Sequence, residues 1–242
     1  MSAIVAFRDV GYTVGGRRIL RGLSLEVERG ETLVLLGRSG SGKTTALKMV
    51  NGLLQPGAGT VWVDGQATTA WDLIRLRRRI GYVIQDVGLF PHFTVARNVG
   101  LVPSLESWPE EKVRARVEEL LRQVGLEPQE FASRYPRELS GGQRQRVGVA
   151  RALAADPPLL LFDEPFGALD PVTRVEIQAL FVELRRSLGK SAIFVTHDVH
   201  EALRVSTRIA VLKDGAVETL TTPGEFRQAR GKEVEAFLAC LD

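Results

Sequence analysis

A chain of 242 residues with 44% hydrophobic and 25% charged residues has ample material for a packed core in one large domain or two closely joined ones. Its formal net charge of +3 is too small to imply nucleic acid by itself, and its single cysteine, Cys240, excludes a disulfide within the chain. No stretch approaches the roughly 18 uninterrupted apolar residues of a membrane span, and the N-terminus lacks a basic-then-apolar leader pattern, so the chain is expected to dock on a membrane protein at most. Arginine makes up 26 of the 32 basic residues, which favours bidentate pairing with carboxylates and equally fits genomic composition.

Residues 3–36 read as strand-rich, with short β-prone runs at 4–10, 18–20 and 23–27 separated by Gly15-Gly16 and Glu28-Arg29-Gly30. Tyr12 stands in a loop-like context, either as an edge aromatic or as a stacking platform for a purine ring. The apolar run 33–36 then leads into G-R-S-G-S-G-K-T at 37–44, followed by a helix-competent segment, 44–51. This strand, glycine loop and helix form a cradle for nucleoside-triphosphate phosphates. Gly37, Gly40 and Gly42 let the backbone turn sharply and bring its N–H groups near phosphate oxygens. The next helix adds unpaired N–H groups and its positive dipole end. Lys43 supplies a mobile charge for the β and γ phosphates, and Thr44 a hydroxyl for Mg²⁺. Arg38, Ser39, Ser41 and Thr45 complete the lining. A flexible Gly/Ser surface turn is the competing reading, disfavoured by the strand before it and the helix after it.

Further along, 56–59 marks a turn, 60–63 a strand and Asp64-Gly65 a tight hairpin. Residues 71–79 end in Arg77-Arg78-Arg79, read as a solvated helix end rather than a nucleic-acid contact because no stacking platform is interleaved. The strand 80–84 ends at Gln85, and 86–93 reads as a partly exposed loop. Helical periodicity over 109–123 places Val113, Val117, Leu120 and Leu121 on one side, so 87–155 is the candidate helical subdomain. Leu139-Ser140-Gly141-Gly142-Gln143 opens a helix to residue 155, with Ser140 as its cap.

The run 159–162 is apolar throughout, as a central parallel strand requires, and delivers Asp163 and Glu164 at its C-terminal edge. A helix from Asp170-Pro171 follows, with Val175, Leu180 and Leu184 as its apolar stripe, closing near Gly189. The strand 192–196 ends at His197-Asp198, and 208–212 with 216–220 form a hairpin before a short helical tail. The pattern gives an α/β core with an added antiparallel sheet.

Two buried strands each ending in an ionisable pair point to chemistry, since charges cost too much to leave unpaired in a core. Asp163 is placed to hold Mg²⁺, through water, beside Thr44. Glu164 is the candidate to orient and deprotonate an attacking water, and catalysis would then be positioning and electrostatic stabilisation. His197 is either a satisfied structural histidine or a γ-phosphate contact. With one thiol and no ligand cluster, no zinc site is expected, and Ser140 has neither elbow nor triad partner.

In order, the loop 37–44, Gln85 after a strand, L-S-G-G-Q at 139–143, L-L-L-F-D-E at 159–164, A-L-D at 168–170 and His197 resemble the ATP-binding subunit of an ABC transporter over nearly the whole chain. The resemblance implies a P-loop NTPase fold of the ABC type, a mostly parallel core sheet with antiparallel β and helical subdomains. The ATPase core would be 1–86 with 156–242, and ATP and Mg²⁺ its ligands. Two such subunits would close head to tail, so that Ser140, Gly141, Gly142 and Gln143 reach the nucleotide held by the opposite chain. Tyr12 would stack on adenine, Gln85 would link Mg²⁺ or water to the membrane-facing loop, Asp170 would work across the interface, and His197 would hold the γ-phosphate. The partners implied are a second ATP-binding subunit, transmembrane permease subunits and, indirectly, a solute-binding protein, with the chain on the cytoplasmic face of the membrane.

A narrower resemblance, carried by I-G-Y-V-I-Q-D-V-G-L-F-P-H-F-T-V at 80–95, A-L-K-M-V-N at 46–51 and D-E-P-F-G-A-L-D-P-V-T-R at 163–174, is to importers of glycine betaine, choline or proline betaine. Asp86 departs from the glutamine or glutamate expected there. Because the chain stops at Asp242, the paired regulatory domains of some members are expected to be absent or elsewhere. The alternatives are import of an amino acid or oxyanion, or a soluble ABC-type ATPase unconnected with transport.

Overall fold

The computed structural model describes residues 3–85, 87–167 and 169–241, apart from the side chains of 185–188. Asp86 and Ala168 lie outside them. The strands are β1 (Ala3–Val14), β2 (Arg17–Glu28), β3 (Thr32–Leu36), β4 (Ala58–Val63), β5 (Gln66–Ala67), β6 (Ile80–Val83), β7 (Leu159–Asp163), β8 (Ser191–Thr196), β9 (Arg208–Lys213) and β10 (Ala216–Thr221). The helices are α1 (Lys43–Val50), α2 (Leu73–Arg78), α3 (Val95–Val99), α4 (Leu101–Leu105), α5 (Glu110–Gln123), α6 (Pro128–Phe131), α7 (Gly141–Leu153), α8 (Pro171–Leu188), α9 (Val199–Val205) and α10 (Lys232–Leu238). Among the described residues, one sheet has the order β10-β9-β3-β8-β7-β6, parallel except for the β9–β10 hairpin. The other, β2-β1-β4-β5, is antiparallel.

The apolar strands are apolar because both faces of the parallel sheet are covered. Alternate residues feed two separate cores. Val34, Leu36, Leu160, Phe162 and Phe194 pack with Leu120 and Leu121 of α5, Val147 of α7, and Ile177 and Phe181 of α8. Leu33, Leu35, Leu161, Ile193 and Val195 pack with Ala46, Leu47 and Val50 of α1 and with Ile4, Phe7 and Val61 of the antiparallel sheet. Each such Leu or Phe contributes about 1.5–3 kcal/mol. Gly81 shows how close the layers come: a Cβ there would lie 2.3 Å from the Ala152 carbonyl oxygen.

The strand order has a functional consequence. Because β3, β8 and β7 are adjacent and parallel, their C-terminal ends bring Gly37, His197 and the Asp163-Glu164 pair to one sheet edge, where open α/β sheets bind ligands.

Several expectations change. The runs at 18–20 and 23–27 form one strand, β2, with Gly22 inside it at φ 69°. β1 runs on through Val14 with register shifts, so Tyr12 is not in a loop but on a strand opposite Leu20. Pairing along 12-residue strands outweighs the local breaks that the glycines signalled. In α8, Leu180 and Leu184 pack on the core as expected, but Val175 is 49% exposed and Ile177 and Phe181 are the buried residues beside them. Arg77 and Arg79 reach solvent as expected, yet all three guanidinium groups of the cluster are engaged. Arg77 donates to the carbonyls of Asn51 and Gly52, Arg78 to Glu106 and Arg79 to Asp64.

The loop after β6 is organised by Asn98, which is fully buried in α3. Its Oδ1 accepts from the Phe90 N–H at 2.8 Å, and its Nδ2 donates to the carbonyls of Phe90, Phe93 and Thr94 at 3.0–3.1 Å. Asn98→Ala leaves buried backbone groups unpaired and is expected to cost about 2–3 kcal/mol. Urea unfolding will show that loss, and limited proteolysis will show faster cleavage in 88–94.

Candidate active site

The loop after β3 has no room for a side chain at Gly37 or Gly42. A Cβ on Gly37 would lie 2.5 Å from the Leu212 carbonyl oxygen, and one on Gly42 would lie 2.7 Å from Leu20 Cδ2. Gly40 and Gly42 adopt φ of 81° and 99°, conformations that glycine takes without strain. α1 starts at Lys43, so its first N–H groups face a cleft of about 250 Å³. The cleft is lined by Arg17, Ile19, Ser39, Gly40, Gly42, Lys43, Thr44, Thr45 and Glu164.

Lys43 is 4% exposed and folds beneath the loop, donating to the carbonyls of Gly37 at 2.7 Å and Arg38 at 2.9 Å. An ammonium has three N–H donors, so one remains for a ligand oxygen. Burial lowers the Lys43 pKa, and the charges of Glu164 and Asp163 oppose that shift. The Ser41 hydroxyl is buried without a partner in this same loop. The Arg38 side chain pairs with Glu233 of α10 at 2.6 Å.

At the end of β7, Asp163 uses both oxygens. Oδ1 accepts from Thr44 Oγ1 at 2.8 Å, and Oδ2 accepts from the Tyr82 hydroxyl at 3.3 Å. Burial raises the Tyr82 pKa, and the Asp163 charge adds to this, so the phenol stays a donor. Among the described residues no three His, Cys, Asp or Glu side chains gather as a metal cage. A hydroxyl in contact with one carboxylate beside a phosphate loop is an oxygen-only donor set. It fits Mg²⁺, which takes few protein ligands and completes its shell with water and phosphate.

Glu164 sits in the left-handed region at φ 47°, with its N–H bonded to the Val195 carbonyl at 3.0 Å. That conformation turns its carboxylate to within 3.1 Å of His197 Nδ1. The two side chains are 27% and 61% exposed. Glu164 also lines a second cleft of about 110 Å³ with Gln85, Gly167, Arg174, His197 and Glu201. Behind His197, Glu201 is 5% exposed and accepts a 2.6 Å bond from Thr196 Oγ1. Burial raises its pKa against that hydrogen bond.

The structure thus gathers Lys43, Thr44, Thr45, Ser39, Asp163, Glu164, Gln85 and His197 around two adjoining clefts. Tyr12 lines a separate cleft of about 530 Å³ with Arg18, Arg21 and Gly57, which shares no lining residue with these two. Ser140, Gly141, Gly142 and Gln143 line neither of the two that meet at Glu164. Ser140 caps α7, its Oγ accepting from the Gln143 N–H at 3.2 Å while Gln143 Oε1 accepts from the Ser140 N–H at 2.8 Å. Gly142 packs on α8, since a Cβ there would lie 2.4 Å from Thr173 Cγ2. Asp170 caps α8 through the N–H groups of Val172 and Thr173, and hydrogen bonds from Thr173 hold its carboxyl below the usual range.

Sequence reasoning missed Tyr82, Arg17, Ile19 and Glu201. Arg17 directly follows the Gly15-Gly16 turn, a signal for a side chain returned toward the loop, whereas Tyr82 needed the β6–β7 register.

A family model described as "ABC transporter" matches residues 20–167. A glycine betaine/carnitine/choline transport ATP-binding protein of Bacillus subtilis is 49% identical over 93% of this chain and 59% of its own length. A glycine betaine uptake system ATP-binding protein of Escherichia coli is 45% identical over 88% of this chain and 69% of its own. The chain thus spans about six-tenths of the first of these relatives. A dimeric ATP-binding cassette in a post-hydrolysis state, bound to ADP and Pi, superposes with a TM-score of 0.80 at 37% identity. That match covers 94% of this chain and 99% of that one. With the phosphate loop, the Asp163-Glu164 pair and His197 at one sheet edge, and with this family match, the chain belongs to the ABC transporter family.

Proposed function

We propose that the chain hydrolyses ATP, with Mg²⁺, to drive import of quaternary-amine osmoprotectants of the glycine betaine and choline type through a partner membrane permease. The observation that carries the hydrolytic reading is Glu164, held at φ 47° with its carboxylate on His197 and open to the phosphate-loop cleft. Glu164 accepts the proton of the attacking water, and His197 holds that carboxylate in place and reaches the terminal phosphate. The backbone N–H groups of 39–44 and the free donor of Lys43 meet the growing negative charge. Mg²⁺, held by Thr44 and Asp163, would screen the phosphates. Tyr12 stacks on the adenine.

The ATPase core comprises 1–86 and 156–242, and residues 87–155 act as a helical subdomain. Two chains close head to tail, each supplying Ser140, Gly141, Gly142, Gln143 and Asp170 to the other's nucleotide. The permease would dock where Leu53, Ile74, Phe90 and Leu105 are 41–62% exposed. Their segments are tied together by Arg77 on the end of α1, Arg78 on Glu106, and Asn98 on Phe90. Among the described residues no helix is long and apolar enough to cross a membrane, which suits a peripheral subunit on the cytoplasmic face. The solute class is supported by the names of the relatives and by identities of 45–49%.

Affinity purification of the tagged chain from solubilised membranes tests the assignment. A polytopic permease is expected to copurify, and the solute-recognition subunit encoded with it is expected to bind glycine betaine or choline. Recovery of the chain without any membrane partner would remove the transport reading, and binding of an amino acid or oxyanion instead would remove the solute.

A further inference from the structure

We infer that Tyr82 is a positioning residue for the metal-holding carboxylate, its hydroxyl fixing the plane of Asp163 beside Thr44. The inference rests on the reading of the site as one for ATP and Mg²⁺. β6 and β7 run parallel with Tyr82 opposite Leu161, which leaves Asp163 two residues further along the neighbouring strand and on the same face. Two residues advance a strand by about 6.6 Å, close to the reach of a tyrosine from Cβ to its hydroxyl. Tyrosine therefore spans the offset, and its hydroxyl arrives 3.3 Å from Oδ2.

The two donors on Asp163 differ in kind. Thr44 is itself expected to turn a lone pair toward the metal, so its 2.8 Å bond to Oδ1 is shared with that task. The Tyr82 ring is half-buried and packs against the core formed by α1 and the antiparallel sheet. Its hydroxyl is thus the fixed point against which the carboxylate plane is set. Groups of this kind, one bond removed from a metal, typically change its affinity about 10–100-fold when lost. A residue present only to fill space would be replaced by phenylalanine without effect.

The test uses the full chain carrying Glu164→Gln, so that bound ATP persists, with and without Tyr82→Phe. Mn²⁺ is titrated against the ATP-bound protein and free Mn²⁺ is followed by its paramagnetic resonance. ATP affinity is measured separately in excess chelator. Tyr82→Phe is expected to weaken Mn²⁺ binding about tenfold while metal-free ATP affinity and the thermal midpoint hold steady. Tyr82→Leu is expected to lower the midpoint as well, separating packing from the hydroxyl. Unchanged Mn²⁺ affinity in Tyr82→Phe would overturn the inference. So would an equal loss of ATP affinity with and without metal, which marks a general structural role. If the Glu164→Gln parent binds no ATP, the reading of the site itself fails and this inference falls with it.

Discussion

Glu164→Gln is expected to lower ATP turnover about 10²–10⁴-fold while leaving ATP affinity within about twofold. The substitution keeps side-chain length and a hydrogen-bonding oxygen, so the contact with His197 Nδ1 can persist. What it removes is a carboxylate able to take a proton from water. The backbone argues for function as well. A residue held at φ 47° is strained by about 1–3 kcal/mol relative to an extended one, and such strain persists where the surrounding structure over-determines it. Here the surroundings are the 3.0 Å bond to the Val195 carbonyl and the junction of two clefts. Phosphate release and equilibrium binding of a fluorescent ATP analogue, measured on the same preparation, separate the two effects. Turnover close to wild type would remove Glu164 from the chemistry.

The candidate catalytic edge of the sheet was legible because charge and periodicity conflict there. A run such as Leu159–Phe162 demands burial on both faces, and an acidic pair at its end is affordable only where the chain emerges at a ligand-binding edge. The same logic exposed His197 after β8, and the glycine spacing marked the phosphate loop. Tyr82 was not legible, since its value lies in which residue of a strand about eighty positions away it faces, and register between distant parallel strands leaves no local mark. Tyr12 was misplaced in a loop because glycines at 11, 15 and 16 dominate its local context, while the pairing that holds it comes from β2. Of the expected stripe on α8, Leu180 and Leu184 pack on the core, while Val175 is exposed and its place is taken by Ile177 and Phe181. The antiparallel sheet was expected in kind, yet β2 was split, since bulges absorb breaks that read as turns.

Mixing two inactive chains is expected to restore activity. Within one chain the Ser140 oxygen accepts from the Gln143 N–H, which leaves its O–H free to donate outward, and Ser140 and Gly141 are exposed. Gly142 is fixed against Thr173 of α8, immediately beyond Asp170, so this segment and the Asp170 cap form one block outside the chain's own phosphate cleft. On the proposed head-to-tail arrangement such a block serves the nucleotide of another molecule, and the similar cassette bound to ADP and Pi is a dimer. Lys43→Ala removes the loop's ammonium, and Ser140→Arg fills the exposed face at a cost to the α7 cap of about 1 kcal/mol. Each variant alone is expected to be nearly inert. In a 1:1 mixture half the dimers are mixed, and a mixed dimer pairs one intact loop with one intact Ser140 segment while its other site carries both defects. With independent sites the mixture should reach about a quarter of the wild-type rate. A mixture that stays inactive while its chains demonstrably exchange partners would mean that each active site is completed within its own chain.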